Sequence, residues 1–125
     1  LHEMLYRKFN TNGKFVLVGP VLGNNSELYE IMRQIGVKIN DDVLYSSEKF
    51  MLEMQAIFLN CYGDVHFHRA LNKVRYGSVN QLLKYWKNTT FYDADKEKEF
   101  ISAATNFYNG DIVVTKSISY LEGVL

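Results

Sequence analysis

The sequence predicts a helix-rich α+β fold with an N-terminal strand-loop-helix-strand unit, a central region of three to four helices, a late C-terminal strand, and a small mixed sheet packed against helices. Three observations lead there. An apolar, β-branched run at 14–18 precedes a glycine loop. Several central segments carry apolar residues at i, i+3 and i+4. The residues after 111 return to a β-like alternation. The 125-residue chain has a common single-domain length, sufficient to bury roughly two-thirds of the unfolded surface. An apolar fraction of 47% and a single Pro argue against disorder, so one globular domain over 1–125 is expected.

Leu1, Met4, Leu5 and Phe9 have helical spacing, and residues 10–13 read as a turn. Residues 14–18 suit a buried strand ended by Gly19 and Pro20. Asn24, Asn25 or Ser26 can cap a helix through Ile35, with Leu28, Ile31, Met32 and Ile35 on one face and Gly36 as its stop. Residues 37–40 then read as a second strand. A stronger helix is expected from a cap at Ser46 or Ser47 to Gly63, with Phe50, Met51, Met54, Ile57, Phe58 and Cys61 in one stripe. Leu52, Ala56 and Leu59 make it apolar on other sides too, which suits a central helix or a homodimer contact through 50–61.

Asp64 is positioned to cap a helix running to about Tyr76. Gly77 and Ser78 stop it and cap the next, residues 79–87. A further helix is expected over 94–108, capped by Asp93 and ended by Asn109-Gly110. A final strand follows, with Ile112, Val114, Ile118 and Tyr120 alternating against Val113, Thr115, Lys116, Ser117 and Ser119.

Formal charge is zero, yet its distribution is uneven. Residues 65–87 hold five bases and no acid, against six acids and three bases in 27–53. The two helices expected around Gly77-Ser78 have a helix-turn-helix layout, with 78–87 as the recognition helix. In that reading Arg69, Lys73, Arg75, Lys84 and Lys87 contact phosphates, Ser78 holds a phosphate at the helix N-terminus, and Asn80 and Gln81 read base edges. The stretch from His66 to Lys87, under a fifth of the chain, also resembles the N-terminal DNA-binding segments of plasmid KfrA-type proteins. Those have a Gly-Ser turn followed by a helix ending in an aromatic and a lysine. The resemblance implies DNA binding, although the glycine run usual at that turn is missing. The bland reading makes Leu71, Val74, Leu82, Leu83 and Trp86 core positions and the bases a solvated face paired with acids elsewhere in the chain.

A second lead is the loop at 19–26. Gly19, Gly23, Asn25 and Ser26 lie between an expected strand and helix, where backbone N–H groups and the helix dipole favour an anion. Asp41 and Asp42 follow about twenty residues later, where a ribose-binding acid sits in dinucleotide folds. The loop nevertheless lacks the lysine of a P-loop and the third glycine of a dinucleotide motif. As a bland alternative, its residues turn the chain and cap the helix.

His66 and His68 would share one face on a strand, as a metal site requires, but point about 200° apart on the expected helix, so no metal ligand is assigned. Cys61 falls on the apolar stripe and is expected to be buried and inert. No catalytic residues are assigned and no cofactor is expected. One cysteine cannot form an internal disulfide, which favours a reducing, cytoplasmic setting, and the chain has neither a signal-peptide pattern nor a membrane-spanning apolar run. Three functions remain open: a nucleic-acid-binding or regulatory protein, a protein-interaction or oligomerisation domain, and a nucleotide- or phosphate-binding protein.

Overall fold

A computed structural model describes residues 13–62 and 64–124; the helix expected over 1–9 lies outside them. The fold is α+β. Its elements are β1 (Lys14–Pro20), α1 (Ser26–Gln34), α2 (Asp41–Glu48), α3 (Phe50–Cys61), β2 (Val65–Tyr76), α4 (Val79–Lys87), a 3-10 turn (Ala94–Lys96), α5 (Glu97–Phe107) and β3 (Ile112–Val124). The strands form one antiparallel sheet in the order β1-β3-β2, with Lys14 opposite Val124 and Pro20 opposite Ile118.

Two expectations for the sheet are corrected. Residues 37–40 form no strand; Val37 and Ile39 are buried in irregular chain, and the Val37 N–H closes the end of α1 on Met32 O at 2.9 Å. The helix expected over 64–76 is instead β2. The helix-turn-helix is therefore a strand, a turn and a helix. The sheet is antiparallel rather than mixed because β2 supplies its third strand in place of 37–40.

The helix expected from Ser46 or Ser47 to Gly63 is two helices broken at Lys49, and α2 was not anticipated. Asn40 Oδ1 accepts from the Asp42 N–H at 2.8 Å, an Asx turn that starts α2 locally. Capping followed expectation at Ser78, whose hydroxyl accepts from Gln81 N, and at Asp93, whose carboxylate accepts from Asp95 N. Ahead of α1 it did not. Asn25 adopts a left-handed conformation (φ 57°) and makes no side-chain cap, whereas Gly36 (φ 73°) ends the helix as expected.

The chain divides into two compact units. The first comprises 13–24, 44–62, 64–71 and 117–124. Its core is Phe15, Met51, Phe58, Tyr62 and Leu121, with Phe15 and Phe58 rings 4.7 Å apart. Val65 and Phe67 turn toward this core, so strand alternation turns His66 and His68 away from it. The second unit comprises 25–43 and 72–116. It buries Leu28, Ile31 and Met32 of α1, Leu82, Leu83 and Trp86 of α4, Phe100 and Ala104 of α5, and Val114 of β3. Trp86 stacks on Phe100 with centroids 4.3 Å apart and planes 9° from parallel.

Candidate functional site

The acid-free stretch 65–87 meets its carboxylates from elsewhere in the chain. Arg75 pairs with Asp111, and Lys87 with Glu97 at 2.5 Å, a bond that raises the lysine pKa. In the first unit Arg69 donates from Nε to Ser117 Oγ at 3.1 Å and from a terminal nitrogen to Leu22 O at 2.8 Å. Lys73 and Lys84 are exposed and have no ion pair among the described residues. Of the expected base-reading residues, Gln81 is engaged: its Oε1 accepts from Gly77 N at 2.8 Å and closes the turn. Asn80 is exposed, and the Ser78 hydroxyl is held by the α4 cap.

The loop at 19–26 has other uses for its residues. A Cβ on Gly19 would lie 2.8 Å from Met51 Cγ and Sδ, so this glycine admits α3 to the sheet. Gly23 has φ +94°, a conformation side chains rarely adopt. In the second unit Asn25 is buried, and its Oδ1 accepts from Lys116 Nζ at 2.5 Å. Ser26 donates to Glu27. The Glu27 carboxylate lies in the first turn of α1 and accepts from the Thr115 N–H and hydroxyl, so the anion complementing this helix start is the protein's own. Burial pushes the Glu27 pKa up, but the Thr115 hydrogen bonds outweigh it and leave the carboxyl below its ordinary value.

Helix α3 has an uneven fate. Met51 and Phe58 are fully buried, whereas Leu52 (44%), Ile57 (40%) and Leu59 (50%) are exposed. Cys61, expected to be buried, is exposed at the end of this helix. Glu53 is the only charged residue on α3, and it accepts from the Tyr45 hydroxyl.

The strand at 65–76 also brings together side chains that the helix expectation had separated. His66 and His68 have ring centroids 6.5 Å apart. His66 Nε2 is 2.9 Å from Asp64, and His68 Nε2 is 3.2 Å from Glu122, while the His68 ring lies 5.2 Å from Tyr120. The signal available in the sequence was the alternation Val65-His66-Phe67-His68, two apolar residues interleaved with two polar ones.

No protein-family model matches the chain, and no curated protein matches it in sequence. Among the described residues no helix is long and apolar enough to cross a membrane.

Proposed function

We propose that this protein is a small assembly module that pairs with a second copy of itself through the outer face of α3. The observation that carries this reading is the exposed stripe Leu52, Ala56 and Leu59, spaced i, i+4 and i+7. A helix with apolar residues on more than one side is normally covered on each of them, and α3 buries chiefly the side bearing Met51 and Phe58. A second copy fits because the stripe is uncharged and the chain's formal charge is zero, so two stripes meet across a two-fold without like-charge repulsion. Ala56 between two leucines lets the helices approach closely. The lone cysteine supports a cytoplasmic, reducing setting.

Sedimentation velocity tests the reading. The wild type should sediment as a dimer, and Leu59→Glu as a folded monomer. A monomeric wild type, or a dimer that survives Leu52→Glu/Leu59→Glu, overturns it. Phe58 is unsuitable as a probe, because it lies in the core.

Nucleic-acid binding is the second reading, favoured by Lys73 and Lys84, two exposed cations without carboxylate partners among the described residues on either side of the Gly77 turn. With two free lysines, log affinity for duplex DNA should fall against log salt with a slope of about −2, and Lys73→Ala/Lys84→Ala should remove the binding. Absence of binding at low salt ends this reading.

A further inference from the structure

The geometry points to a surface site for a zinc-class divalent ion, held by His66 and His68 on the sheet face turned away from α3. Alternate residues of a strand project to one side, so a His-x-His pair presents both imidazoles in the same direction. Each ring has a carboxylate at Nε2, Asp64 for His66 and Glu122 for His68, which leaves Nδ1 as the other ring nitrogen. A carboxylate on one nitrogen fixes the tautomer and the ring orientation, which is how metal-bound histidines are commonly supported. No group of three donors converges among the described residues, so the protein contributes two imidazoles and water completes the shell.

Two nitrogens sharing a tetrahedral zinc at about 2.0–2.1 Å must stand within about 3.4 Å of each other. The present ring separation of 6.5 Å requires the side chains to turn inward. Both are free enough to do so, with side-chain exposures of 63% and 48%. A cleft of about 230 Å³, lined in part by Lys14, Val16, Asp64, His66 and Glu122, adjoins His66 and gives the ion's waters room on that side of the pair. Imidazole donors select zinc or copper(II) over magnesium and calcium, which prefer all-oxygen shells.

Isothermal titration of the full chain with zinc chloride tests the site, with magnesium chloride as the comparison. One zinc per chain and no magnesium uptake are expected. His66→Ala and His68→Ala should each weaken zinc binding roughly tenfold or more. Both side chains are exposed, so the metal-free variants should retain the wild-type circular dichroism and unfolding midpoint. The chain's third histidine, His2, and its exposed Cys61 supply the controls. His2→Ala and Cys61→Ser should bind zinc like the wild type. No zinc uptake at millimolar metal, unchanged affinity in either His66→Ala or His68→Ala, or loss in His2→Ala or Cys61→Ser overturns the site.

Discussion

Glu27 is held twice by Thr115: its carboxylate accepts the backbone N–H at 2.8 Å and the hydroxyl at 2.5 Å, tying the start of α1 to β3. Burial acts to raise the carboxyl pKa, and the hydrogen bonds from Thr115 reverse the sign, leaving it below 4.5. A carboxyl depressed in the folded state contributes its full stability above the unfolded pKa. That contribution is lost as pH falls through the folded value. Glu27→Gln should therefore cost about 1 kcal/mol at neutral pH, a figure reduced for the group's partial exposure. In strongly acidic solution the difference from wild type should shrink, as urea unfolding at the two pH values would reveal.

Arg69 stabilises the loop before α1. Its Nε and a terminal nitrogen reach two acceptors, Ser117 Oγ and Leu22 O, which a lysine's single ammonium cannot reproduce with the same fork geometry. Arg69→Lys should therefore destabilise the first unit by about 1 kcal/mol. Hydrogen exchange should rise at the Val21 N–H, which donates to Ser117 O, and at the Asn24 N–H, which donates to Val21 O. Unchanged exchange at both amides would return Arg69 to the freely solvated surface.

Adjacent residues on α3 should respond in opposite ways. Phe58 is fully buried with its ring 4.7 Å from Phe15 and 5.5 Å from Tyr62, and Phe58→Ala should cost about 3–5 kcal/mol. Leu59 is half exposed, and in dilute protein Leu59→Ala should stay within about 0.5 kcal/mol of wild type. Denaturant unfolding across a concentration series separates this effect from assembly, which makes apparent stability depend on protein concentration.

The sequence revealed the fold class more readily than the site. Local signals were strong where one element buries one constant face: α4 puts Leu82, Leu83 and Trp86 inside, as its spacing predicts. They were weak where the buried face changes along a strand. β2 turns Val65 and Phe67 inward near its start and Val74 and Tyr76 near its end, an odd-to-even change that defeats a search for simple alternation. Leu71 and Val74 then mimic a helical repeat, although Leu71 is 66% exposed. β3 likewise changes from Val114 to Ser117, Ser119, Leu121 and Gly123, leaving Ile118 and Tyr120 exposed although the alternation groups them with the buried Val114. Pairing of the bases with acids elsewhere is expected from the sequence, and Arg75 and Lys87 do pair, but their particular partners were hidden for a different reason: Asp111 and Glu97 lie outside the acid-free window and are brought in only by folding.

Gly123 shows how a residue without a side chain can set the packing of its neighbours. It lies opposite Phe15 in the β1–β3 register, and a Cβ there would stand 2.8 Å from Phe15 Cε1 and Cζ and 2.9 Å from Asp64 O. The ring occupies the space the glycine leaves. It cannot withdraw cheaply, because it packs against both Phe58 and Tyr62. The Asp64 carbonyl is backbone and accepts from Val124 N at 3.3 Å, so it is also constrained. Gly123→Ala should consequently destabilise the protein by about 1–3 kcal/mol, despite the smaller unfolded-state entropy that alanine brings. Gly77→Ala supplies the contrast. Its Cβ would meet the side-chain end of Gln81 at 3.3 Å, a contact looser than those at Gly123, and its stability should change by less than about 1 kcal/mol. Equal urea midpoints for the two variants would mean that Phe15 does not rest over Gly123, and the aromatic packing of the first unit would need a different account.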